Sequence, residues 1–156
     1  MMSTSRRAFL AGAAAAFILP KGAIAETAPR MHVFKDPNCG CCSAWIAILE
    51  QDGFQITTEA RTSAALVEEK VRRGIPASMA SCHTADVDGY AIEGHVPAAD
   101  IRKLLAERPE AIGLSVPGMP FGSPGMGPES QREAYDVYLI LRDGTSRVFT
   151  HYDAAA

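Results

Sequence analysis

The chain has 156 residues, 47% of them hydrophobic and 21% charged, with a formal charge of −3 at pH 7. That balance offers no basic surplus for nucleic acid or an anionic membrane surface. The length suits one domain once a leader is set aside.

The leader comes first. Ser5-Arg6-Arg7-Ala8-Phe9-Leu10 is a twin-arginine export pattern, followed by an apolar run from Leu10 to Leu19 and a small-residue cleavage site at Ala23-Ile24-Ala25. The run is about half of the ~20 residues that span a bilayer. Residues 1–25 therefore read as a cleaved signal peptide, and the protein as one exported to the periplasm, with no stable membrane insertion afterwards. The leader holds Arg6, Arg7 and Lys21 and no acid, so the mature chain carries 12 basic and 18 acidic residues, a formal −6. All four cysteines lie in the exported part and face an oxidising compartment.

Residues 26–30 read as a flexible leader to a single domain over 31–153. Met31 to Lys35 alternates like a strand. Helical spacing begins after the cysteine cluster with Trp45, Ile46, Ile48 and Leu49, and stops at Gly53. Trp45 reads as helix core. Phe54 to Thr58 is a second strand. Ser63 can cap a second helix holding Leu66, Val67 and Val71, with Glu68 and Glu69 early and Arg72 and Arg73 late, as a helix dipole favours. Residues 78–84 and 90–96 read as two strands joined at Asp88-Gly89, a hairpin dipeptide. A third helix starts at Pro97 and stops near Pro109. Residues 113–128, rich in Gly and Pro, are expected to lack regular structure. A closing hairpin runs from Tyr135 to Leu141, turns at Asp143-Gly144 and returns from Ser146 to Tyr152. The order is that of an α/β thioredoxin-like sandwich with an extra C-terminal β-hairpin.

The chemistry sits in the cysteines. Cys39, Cys41 and Cys42 fall within four residues, and Cys82 lies further on, followed by His83. Thiolates this dense repel one another unless they are oxidised or share a soft metal ion. Cys39 and Cys42 have the C-x-x-C spacing of a disulfide exchanger, but Cys41 between them could capture the wrong partner. A Cys41–Cys42 bond would be a strained ring, and no pairing of the three near neighbours looks relaxed. For a soft metal the third sulfur is an asset. Zinc prefers ligands from separate knuckles, whereas bridging thiolates suit a multinuclear copper cluster. The reading is a copper site on Cys39, Cys41, Cys42 and Cys82. A thiol–disulfide oxidoreductase using Cys39 and Cys42, with Ile75-Pro76 mimicking a cis-proline, is the alternative.

Secondary candidates are His83, Met119 and Met126. Cys82-His83 falls in a predicted strand, where adjacent side chains point to opposite faces, so Cys82 is the better ligand of the two. Met79 reads as core filler or a thioether ligand. Met119 and Met126 lie in a Gly/Pro loop with no core to fill; they either contact copper or lie over the cysteines as a lid. His95 reads as satisfying a turn. No single activated thiol, phosphate loop, dinucleotide fingerprint or H-E-x-x-H motif points to a catalytic residue.

Asp36-Pro37-Asn38-Cys39-Gly40-Cys41-Cys42-Ser43-Ala44-Trp45 resembles the opening of the CopG-type periplasmic copper-resistance family, long labelled only as a metal-binding domain of unknown function. The likeness continues through Gly74-Ile75-Pro76, Ser81-Cys82-His83-Thr84, Glu93-Gly94-His95-Val96-Pro97 and Val116-Pro117-Gly118-Met119-Pro120, over about residues 31–152. The resemblance implies a thioredoxin-like fold, export, and a copper cluster bridged by Cys39, Cys41, Cys42 and Cys82. Copper ions would be its partners, with other periplasmic copper-handling proteins to exchange them.

Overall fold

A computed structural model describes residues 28–156. The proposed signal peptide and cleavage site lie outside the described residues. One sheet of seven strands, in the order β2-β1-β3-β4-β5-β6-β7, organises the chain. Its elements are β1 (Arg30–Lys35), α1 (Gly40–Gln51), β2 (Gln55–Ala60), α2 (Ser63–Arg72), β3 (Thr84–Val87), β4 (Tyr90–Glu93), α3 (Ala98–Glu107), β5 (Ala111–Ser115), β6 (Tyr135–Leu141) and β7 (Ser146–Tyr152). β1 pairs with β2 in parallel and with β3 antiparallel. β4 and β5 are parallel; the other neighbours are antiparallel.

The main core lies on one face of this mixed α/β sheet. Alternate residues Met31, Val33, Ala85, Val87, Ile92, Val137 and Leu139 face Trp45, Ile46 and Leu49 of α1 and Ile101 and Leu104 of α3. Cys42, Trp45, Ile46 and Leu49 are the buried residues of α1, spaced three, one and three apart, which is one helical stripe. The periodicity therefore starts at Cys42. The helix begins inside the cysteine cluster, not after it, because Cys39 caps it: the Cys42 N–H donates to Cys39 Sγ at 3.4 Å.

The opposite face carries α2, and here the sequence misleads. Val67 and Val71 are 59% and 71% exposed, while Leu66, Glu69 and Lys70 are buried. Much of this docking is polar: Arg73 pairs with Glu69 and with Asp86 of β3, and stacks its guanidinium on Phe34 of β1. The N-cap is Thr62, whose Oγ1 accepts from Ala65 N–H, so the helix begins at Ser63, one residue earlier than a cap at Ser63 would place it.

Two further expectations need correction. Residues 78–83 are not a strand. A 3₁₀ turn (Ala77–Met79) and an irregular stretch lead into β3 at Thr84. Likewise 94–96 lie beyond the end of β4. Second, β5 runs into the Gly/Pro segment that was expected to be irregular from residue 113. Its Gly113 hides the strand in the sequence, yet a Cβ there would collide with the Ala91 carbonyl, so the close β4–β5 approach demands glycine. The closing hairpin matches residue for residue, and β5 joins it to the rest of the sheet. The Ile75–Pro76 bond is trans, unlike a cis-proline. Met79 packs with Ile75, Ala91 and Ile140 in a small second core, as filler.

Candidate metal centre

Two ends of the fold meet at the start of α1. Cys39, Cys41 and Cys42 enter from the β1–α1 turn, and Cys82 from the stretch before β3. The sulfurs of all four lie within 4.8 Å of one another. Cys39, Cys41 and Cys42 stand at the start of α1, where the positive end of the helix dipole faces the cluster. Cys42 is fully buried, while the other three are partly exposed.

Cys39 and Cys42 are joined as a disulfide, with Cα atoms 5.4 Å apart. That separation is ordinary for a bonded pair. The first helical turn brings residues three apart onto one side, and Cys41 is skipped. Cys41 and Cys82 are free thiols, with Cys41 Sγ 3.6 Å from Cys39 Sγ.

Cys82 lies between two histidines. His83 Nδ1 is 3.2 Å and His95 Nε2 3.1 Å from its sulfur. Cys82 and His83 converge because they precede the strand, so alternation does not separate them. His95 turns back from the end of β4 through Gly94, whose φ is +72°. A side chain at Gly94 would press on Ser81 Oγ and the Val116 carbonyl. The sequence favours a turn role for His95, because nothing local in Gly94-His95-Val96-Pro97 tells that it returns 13 residues to Cys82.

Hydrogen bonding fixes the protons. His95 Nδ1–H donates to the Pro124 carbonyl at 2.8 Å, so its Nε2 presents a lone pair to Cys82. One S–H proton cannot serve two nitrogens. His83 is fully buried and its Nε2 has no partner. Burial, then the neighbouring His95 and Lys70, push the His83 ring down to about 3, and burial also lowers His95. Both rings are neutral at ordinary pH and can act as ligands. Burial and the facing Cys41 push the Cys82 thiol up to about 12. A soft cation in place of that proton would leave two nitrogens and the sulfur as donors around it, and the ligand atoms of Cys82, His83 and His95 all lie within 4.8 Å of one another.

The Gly/Pro loop covers this site. Pro124 holds His95. Gly125 packs so closely on α1 that a Cβ would stand 2.7 Å from Trp45 N and 2.9 Å from the Cys41 carbonyl. Trp45 lies beneath, donating from Nε1 to the Val96 carbonyl at 2.9 Å, with its ring 4.3 Å from that of His83. Met119 and Phe121 are exposed on the loop, at 53% and 41%, and Met126 is half-buried. The loop is a lid.

Comparison with known proteins agrees with this geometry. Residues 79–126, from before Cys82 through the lid, match a family described as a protein of unknown function, DUF411. No curated protein matches the chain. A solved structure of copper resistance protein CopG, form 2, is 46% identical, with 80% of this chain and 98% of that chain covered and a TM-score of 0.75. The chain belongs to the CopG copper-resistance family. Form 1 of CopG gives the same identity and coverage with a TM-score of 0.74. The two CopG structures cover both sides of the site, including the cysteine turn that the shorter family match leaves out.

Proposed function

We propose that this protein is a periplasmic copper-binding protein of copper resistance, which takes Cu(I) as cargo on the sulfurs of Cys39, Cys41, Cys42 and Cys82. The observation that carries this is that Cys82 joins two clusters, one of four sulfurs with Cys39, Cys41 and Cys42 and one with the neutral imidazoles of His83 and His95. Four soft sulfurs favour Cu(I), and each can bridge two ions, so several coppers fit where tetrahedral zinc would be one. His95 Nε2 and His83 Nδ1 are the nitrogen donors, and the methionine-bearing lid shields the site or hands copper over. The strand order and directions around β1, with the cysteines at the start of α1, support a thioredoxin-like frame. The twin-arginine leader supports export, and no helix among the described residues is long and apolar enough to cross a membrane.

Copper binding on all four sulfurs needs the Cys39–Cys42 bond opened. Two electrons and two protons from a dithiol, itself left as a disulfide, yield two thiols, which release their protons to solvent as the ions bind. Redox activity of the cluster itself belongs to this proposal.

The disulfide favours a second reading, a thiol–disulfide oxidoreductase on Cys39 and Cys42. Serine variants separate the two. Cys41→Ser and Cys82→Ser are expected each to lose much of the bound copper after anaerobic reconstitution, because each removes a bridging sulfur. Element analysis and insulin reduction are measured on the same samples. Copper kept by both variants, with exchange that needs only Cys39 and Cys42, would establish the second reading. One zinc and no copper per reduced chain would end the first.

A further inference from the structure

A buried charge pair stands behind Cys82 and has no part in holding copper. Glu93 is 0% exposed and Lys70 8%. Glu93 Oε1 accepts from Lys70 Nζ and from the Ser81 backbone N–H, each at 2.6 Å, and Oε2 accepts from Thr84 Oγ1 at 2.7 Å. Lys70 Nζ also donates to Thr84 Oγ1 at 2.8 Å, closing a triangle. Thr84 and Glu93 face each other across the β3–β4 ladder, and Lys70 reaches them from α2.

A pair this deep is a poor source of stability. Desolvating two ions costs several kcal/mol each, and apolar replacements of like volume are often neutral or better. What the pair does supply is position. Ser81 and Thr84 flank Cys82 and His83, and the carboxylate grips both. The stretch between lies outside the strands, and its one backbone bond is from Gly94 N–H to the His83 carbonyl at 3.1 Å, which leaves Ser81 and Cys82 to be held from their side chains and from Glu93. The same residue, through its backbone, ends β4 and leads to His95, whose Nε2 meets Cys82 from the other side.

We propose that the Lys70–Glu93 pair is the positioning device of the site, its carboxylate clamping the Ser81–Thr84 segment so that Cys82, His83 and His95 converge. This rests on the copper reading, but the clamp is testable without copper. In Lys70→Met/Glu93→Met both charges and the clamp go. In Lys70→Met/Glu93→Gln both charges go, and an acceptor for Ser81 N–H stays.

Three readouts are taken: thermal unfolding, Cu(I) release to a bathocuproine chelator, and iodoacetamide labelling of Cys82 in the metal-free reduced chain. The double methionine variant is expected to unfold near the parent's temperature. It should release copper about 10–100-fold faster, the usual cost of losing a partner behind the ligands. Its Cys82 should be labelled several-fold faster. The Met/Gln variant should release copper within about threefold of the parent, since the neutral bond remains. Parental release and labelling in the double methionine variant would overturn the proposal, as would equal losses in both variants.

If the double methionine chain does not fold, hydrogen exchange of the Ser81 amide in the unmodified protein decides. Protection like that of β3 and β4 amides supports the clamp; exchange like an open loop refutes it. A parent that takes up no copper defeats the copper reading alone, and labelling and exchange still judge the clamp.

Discussion

Gly125→Ala tests the lid. The new Cβ would lie 2.7 Å from Trp45 N and 2.9 Å from the Cys41 carbonyl, both backbone atoms of α1 that cannot swing aside. The residue also sits at φ +83°, where alanine is strained by about 1–3 kcal/mol. Gly118 supplies the control: its φ is +69°, but nothing lies within 4 Å of its Cβ, so Gly118→Ala carries the backbone strain alone. The difference between the two variants isolates the contact with α1, about 1–3 kcal/mol for an overpacked site. The lid can lift as a unit, so most of that difference should appear as local opening rather than global unfolding. An opening made easier by 1.4 kcal/mol is about tenfold more populated, so Gly125→Ala should release Cu(I) to a chelator about 5–150-fold faster than Gly118→Ala. Urea denaturation should separate the two variants by less. Equal release rates would show that the lid is not seated on α1 as described.

Acid should destabilise the metal-free protein through His83. Its folded ring stays neutral down to about 3 while the unfolded ring takes a proton near 6.5, so stability is full above that value and falls as pH drops through the window. The slope is about 1.4 kcal/mol per pH unit, and urea midpoints across pH 4–7 should show one fewer proton taken up on unfolding in His83→Phe. Gly113→Ala should cost stability at or above the top of the roughly 1–3 kcal/mol range for overpacking, because the Ala91 carbonyl is fixed by the β4–β5 ladder; a thermal midpoint within a degree of the parent would contradict that pairing. Trp45→Phe removes the donor to the Val96 carbonyl and should cost about 1–3 kcal/mol in urea denaturation. The secreted chain should begin at Glu26 by intact mass, and export should stop when Arg6 and Arg7 are both changed to Lys; a full-length product would refute the leader.

Where a structural feature depends on neighbours along the chain, the sequence states it. Tyr135–Leu141 and Ser146–Tyr152 are two short strand-like runs joined around Asp143-Gly144, and both strands form at those bounds. The C-x-C-C spacing identified the sulfur cluster, because a helix start places residues three apart, Cys39 and Cys42, on one side whatever surrounds it. The sequence also carries the family likeness.

What only the tertiary structure decided lies between residues distant in the chain. Val67 and Val71 looked like the core face of α2, but the sheet face beneath offers Asp86, Thr84 and Glu93, so Glu69, Lys70 and Arg73 turn inward to ion partners. Glu93 in Tyr90-Ala91-Ile92-Glu93 was the visible clue, a charge closing an otherwise apolar strand; its partner 23 residues back was not visible. His95 meets Cys82, and Pro124 holds His95, through a return of the chain that no local pattern encodes. β5 escaped notice because Gly113 weakens its local pattern and is required by a strand 22 residues earlier. Short-range periodicity is written by the backbone's own geometry and can be read from one segment. A buried donor's partner is chosen by whichever element packs against it, and that choice exists only once the sheet has formed.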